Sequence, residues 1–87
     1  MAEIRVTPLD DATFRVTVTD KSTTTHEVKV QADYAQKLTG GKVTTTQLVK
    51  KSFEFLLERE PNTSILRSFD LNVIARYFPE YERIIGK

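Results

Sequence analysis

His26 is the sole histidine of this chain, and because no cysteine is present it is also the only strong nitrogen or sulfur ligand. General acid-base work by a histidine needs a positioned partner, and a zinc site needs three or four ligands. No second histidine and no His-x-x-Glu spacing accompanies His26, so it reads as a strand residue held against the core. Thr39-Gly40-Gly41-Lys42 has the glycines that free backbone N–H groups for phosphate. It departs from the nucleotide-binding loop at both ends, with Gln36 where the first glycine belongs and Val43 where Ser or Thr should follow Lys42. A helix stop is the simpler reading. Thr23-Thr24-Thr25 and Thr44-Thr45-Thr46 have hydroxyls but no adjacent base, which a threonine nucleophile requires. No catalytic residue, metal ligand or cofactor is therefore expected, and the protein reads as a non-enzyme.

The aromatic group Tyr77-Phe78-Pro79-Glu80-Tyr81 offers a different chemistry. Tyrosine anchors protein interfaces well, because it joins apolar area to a polar tip. The simpler reading is that these residues plug the end of the core, since so small a chain needs its aromatics inside.

These side chains must be positioned by elements that the hydrophobic pattern marks out. Ile4 and Val6 alternate with Glu3, Arg5 and Thr7; Phe14, Val16 and Val18 alternate with Arg15, Thr17 and Thr19; His26, Val28 and Val30 share a face against Glu27 and Lys29. A period of two rich in β-branched residues predicts three half-buried strands, joined by short polar turns as an antiparallel meander. At Gln31 the period changes. Asp33 with Gln36 has capping-box spacing and predicts a short helix over 34–38, stopped by Gly40-Gly41. Thr44 with Gln47, flanked by Val43 and Leu48 at staple spacing, predicts a longer helix over 45–60 that ends at Pro61. In the tail, Asp70 is placed to cap a helix running to Tyr77, and Pro79 to open a last one over 80–85. The fold class is α+β, a three-stranded meander followed by a short helix, one long helix and short C-terminal helices.

On the long helix Leu48, Val49, Ser52, Phe53, Phe55, Leu56 and Leu57 fill an arc of roughly 200°, against about 100° for a helix with one buried side. One sheet face cannot cover that arc, so the tail or a second subunit must. Leu48 and Phe55 at one margin, Leu57 at the other, and Tyr77 and Tyr81 in the tail are the expected interface of a homodimer.

The chain has 87 residues, enough for one domain spanning 1–87. Hydrophobic residues at 39% and charged residues at 29% suit a packed core rather than disorder. Thirteen Lys and Arg stand against twelve Asp and Glu, so the basic excess typical of a nucleic-acid or membrane-surface binder is missing. No apolar run approaches the ~20 residues of a membrane span, and Met1-Ala2-Glu3-Ile4-Arg5 opens as strand-like alternation rather than a signal peptide. A soluble cytoplasmic protein is the expectation.

One resemblance spans His26 to Glu60. There an alternating strand, His26-Glu27-Val28-Lys29-Val30, precedes a short helix, a glycine turn and the helix begun by Thr44. This order resembles the ribbon-helix-helix family of bacterial repressors and antitoxins. The resemblance implies paired ribbons from two chains whose outward side chains read the DNA major groove. Matched by position, Glu27, Lys29 and Gln31 would be the readers, with Thr44 and Thr45 beside a phosphate at the helix start. Two functions follow from the sequence. One is a self-associating, non-enzymatic protein-interaction module, and the alternative is a DNA-binding regulator of this family.

Overall fold

The computed structural model describes residues 3–85, so the strand expected over Met1 and Ala2 lies outside the described residues. Three strands, β1 (Glu3–Pro8), β2 (Thr13–Thr19) and β3 (Thr23–Lys29), form the antiparallel meander that the alternation predicts. Two helices follow, α1 (Ala32–Thr39) and α2 (Thr45–Leu57), then a single 3-10 turn, Asn62–Ser64. The chain next returns to the sheet as β4 (Ser68–Asp70) and finishes with α3 (Val73–Tyr77) and α4 (Tyr81–Ile85).

The sheet order is β1-β2-β3-β4, and β4 runs parallel to β3 with Phe69 beside Val28. This fourth strand adds a parallel edge to the three-stranded meander that the sequence predicts. Asp70, expected as a helix cap, is its last residue; the helix that follows starts later, with Asn72 as its N-cap and no side-chain cap bond. β3 consequently has a hydrogen-bonded neighbour on both edges. The outer edge of β1 ends at Pro8, whose missing N–H removes one donor from an open strand edge.

Local signals account for most element ends. In the first hairpin Asp10 Oδ1 accepts from the Ala12 N–H at 2.8 Å, and this bond, ahead of all other influences, holds the Asp10 carboxyl below the usual carboxylate range. α1 has Gln31 as its N-cap, which makes no side-chain cap bond, so the box expected at Asp33 does not form; the Asp33 carboxylate instead accepts from the Tyr34 N–H. The helix ends where Gly40, at φ 63°, sends its N–H back to the Gln36 carbonyl, an αL stop that glycine adopts without a Cβ clash. α2 opens with the complete capping box of Thr44 and Gln47. It stops at Leu57, with Glu58 as C-cap, three residues short of the expected Glu60.

Phe14, Val16, Val18, Val28 and His26 line the inner face of the sheet, and Val49, Phe53 and Leu56 of α2 are buried in the same core. The other margin of α2 is covered by the chain itself. Phe55 packs edge-on against Phe78 at 5.9 Å and Tyr81 at 5.3 Å between ring centres. Leu48, Phe55 and Tyr81, expected at a dimer interface, are 0%, 4% and 0% exposed and belong to the core. The tail helices cover the arc because three aromatic rings interlock where short helices alone would not reach. Leu57 is half-buried against the same core, and Tyr77 stands out at 68% exposure. Among the described residues no helix is long and apolar enough to cross a membrane.

Candidate functional site

His26 lies on the inner face of β3 and is 1% exposed. Its Nδ1–H donates to the Leu66 carbonyl at 2.8 Å, because a carbonyl oxygen can only accept. Nε2 lies 2.8 Å from the Thr24 hydroxyl, which in turn accepts from the Asn62 amide at 2.9 Å. Asn62 is itself buried and also donates to the Ser22 carbonyl at 3.0 Å. Phe53 packs 5.4 Å from the imidazole, ring centre to ring centre, and both imidazole nitrogens and the Asn62 amide nitrogen have protein partners. The arrangement pins the 62–66 segment to β3 and leaves no nitrogen free for catalysis or metal.

A second buried relay joins α2 to α4. The Tyr81 hydroxyl meets Ser52 Oγ at 2.6 Å, and Ser52 donates onward to the Leu48 carbonyl at 2.8 Å, so Tyr81 is the donor to Ser52. Burial pushes the Tyr81 phenol up to about 12. Nearby, the Tyr34 hydroxyl of α1 donates to Glu82 of α4 at 2.8 Å, and burial together with that carboxylate raises its pKa well above the ordinary phenol value. Among the described residues no buried side-chain nitrogen or oxygen lacks a partner, and no three His, Asp or Glu side chains gather as metal ligands would.

The glycine loop turns its donors inward. Gly40 N–H bonds Gln36, Gly41 N–H bonds the Thr39 hydroxyl, and Lys42 N–H bonds the Thr39 carbonyl. These donors close the helix rather than present a phosphate cradle.

The expected DNA readers divide. Glu27 and Lys29 project from the outer, solvent face of the sheet, and Gln31 follows them, exposed. Lys29 and Gln31 line a hollow of about 240 Å³ that also takes in Lys37, Asp33 and Asp70, so both signs of charge meet there. Thr44 and Thr45 stand at the start of α2 outside this hollow, and the Thr44 hydroxyl is committed to the Gln47 N–H. β3 gives one edge to β2 along its whole length, and on the other edge its last three residues, Glu27 to Lys29, pair with β4.

A second concave feature is apolar, a groove of about 430 Å³. Leu66 and Phe69 form one wall, Val73 and Tyr77 another, and Leu56 with Ile74 the floor, with Glu60 and Ser64 supplying polar groups. Leu66 is 50% exposed although its carbonyl is held by His26, so an apolar side chain is kept in water by a fixed backbone. Three separate segments build this groove: the end of α2, the stretch from the 3-10 turn to β4, and α3. Of the expected interface residues only Tyr77 lines it. The run Ile65-Leu66 was the sequence signal for its other wall, yet nothing local distinguishes the buried Ile65 from the exposed Leu66.

Neither the family models nor the curated proteins nor the solved structures contain a match to this chain.

Proposed function

We propose that the chain is a non-enzymatic protein-interaction module that self-associates through the face carrying the apolar groove. The observation that carries the reading is the pairing of that groove with two large exposed apolar side chains on its rim, Leu66 and Tyr77. Contiguous exposed apolar surface rimmed by polar groups marks interaction sites on small domains. The buried polar residues His26, Ser52 and Asn62 are held by structural bonds and are not among the residues that line the groove, which agrees with this reading. A groove and a protruding ring on one patch also suit a twofold contact, in which one surface must complement itself. Sedimentation equilibrium at micromolar concentration tests the proposal. The expected result is a species of twice the 10.0 kDa chain mass, and a lone chain mass throughout would overturn it.

A second reading, DNA regulation of the ribbon-helix-helix type, draws support from the exposure of Glu27, Lys29 and Gln31. Reading would then proceed from the outer face of a four-stranded sheet, without the ribbon of a second chain.

A further inference from the structure

Resting on the self-association reading above, we infer that the dimer contact is a reciprocal insertion: Tyr77 of each copy enters the groove of the other, and Arg76 of each copy meets Glu60 of the other. Three observations converge on this occupant. Tyr77 stands at the groove rim with 68% of its surface in water, and no side chain of its own copy hydrogen-bonds its hydroxyl among the described bonds. A ring so placed is available to a neighbouring molecule. The groove it would enter is apolar on most sides and holds one charged side chain, the half-buried Glu60. Arg76, directly before Tyr77 on α3 and exposed, carries the complementary sign and makes no salt bridge among the described residues.

A twofold axis beside α3 satisfies both halves of the contact at once. It places knob against hole twice and a cation beside an anion twice, with no unlike surface left over. The groove is prepared for this. The His26 bond to the Leu66 carbonyl and the parallel pairing of Phe69 with β3 fix one wall before any partner arrives, so little ordering remains for association to offset. A tyrosine filling an apolar pocket at the centre of a contact is the type of anchor that dominates binding energy.

The test is a charge exchange. Glu60→Arg and Arg76→Glu are made singly, each confirmed to melt like the parent, and their association is measured by sedimentation with the parent alongside. Each single variant should associate at least about tenfold more weakly, because like charges then face each other twice. An equimolar mixture of the two should return to within about threefold of the parent, since both ion pairs re-form in the mixed dimer. Tyr77→Ala, at an exposed position that leaves the fold intact, should weaken association by about thirtyfold or more. Parental dimerisation in Tyr77→Ala, or a mixture no stronger than its components, overturns the reciprocal insertion while leaving self-association standing. A parent that stays monomeric overturns both.

Discussion

His26 and Leu66 are forty positions apart and are joined by a 2.8 Å bond from an imidazole N–H to a main-chain carbonyl. That bond links the third strand of the meander to the segment that returns to the sheet, and so sets the height of one groove wall. It also fixes the tautomer: Nδ1 carries the proton, and Nε2 faces the Thr24 hydroxyl. Nitrogen-resolved NMR of the imidazole should show a protonated Nδ1. The opposite tautomer would mean that the Leu66 carbonyl is not its partner.

The neighbouring Asn62 bridges more distant parts of the chain than any other side-chain amide here. Its amide reaches Ser22, Thr24 and, more loosely at 3.4 Å, Val18. Asn62→Ala removes the donor from buried acceptors and should cost about 1–3 kcal/mol. At roughly 4–8 °C per kcal/mol for a domain of this size, the loss is readily seen in a thermal melt followed by circular dichroism. A melting point unchanged to within a degree or so would count against the network as drawn.

Thr44 opens α2 with both arms of a capping box, and among the described residues no other cap is as complete. Thr44→Ala should lower stability by about 1 kcal/mol, and Thr44→Ser should retain most of it, since the hydroxyl is what the Gln47 N–H uses. Urea unfolding of the pair gives the comparison directly. Equal losses in both variants would shift the credit from the hydroxyl to the methyl group.

The parts of this fold that were legible in the sequence are those written by near neighbours. Thr44 and Gln47 are three residues apart, Gly40 stops its own helix, and Val16 and Val18 declare a strand by alternation alone. β4 was not legible, because Ser68-Phe69-Asp70 is too short to alternate and pairs with residues some forty positions earlier. Asp70 carries the residue type of a cap, and only the parallel partner reveals the strand. Burial of Phe55 escapes a sequence reading for a related reason. Each tail helix has five residues, too few to suggest cover, and the cover comes from Phe78 and Tyr81 packing on Phe55 as rings. The groove depends on three distant segments at once, so only Tyr77 could be named beforehand.

DNA binding is expected to be weak, indifferent to sequence and sharply reduced by salt. Lys29 and Lys37 share their hollow with Asp33 and Asp70, and the whole chain carries a net charge of only +1, so few counterions would be released from a duplex. Titrating labelled duplexes at low and at physiological salt, with Lys29→Ala beside the parent, decides the point. Nanomolar binding to one sequence, lost in Lys29→Ala, would favour the regulator over the interaction module.

Alkaline stability isolates the relay between Tyr81 and Ser52. The Tyr81 phenol is raised from 10.0 to about 12, first by burial, which disfavours the phenolate; the Ser52 contact opposes this and the Glu82 charge adds to it. Because the folded chain holds this proton more tightly than the unfolded chain, the contribution is fully present below pH 10. It is lost as pH rises from there through about 12, and amounts to at most about 3 kcal/mol. Tyr81→Phe keeps the ring against Phe55 and leaves Ser52 its bond to Leu48, but has no proton to lose. The parent should therefore be the more stable protein at about pH 8, by roughly the 0.5–1.5 kcal/mol of one hydrogen bond. That advantage should shrink and then reverse as pH passes through the range between 10 and about 12. Burial and the Glu82 bond, the larger causes of the raised Tyr34 phenol, are kept in both proteins; the smaller contribution from the Tyr81 charge is lost together with the Tyr81 phenolate and belongs to the same difference. Urea midpoints of the two proteins at about pH 8 and about pH 11.5 give that difference. A gap that holds constant between them would show that Tyr81 does not carry its proton into the core as the geometry requires.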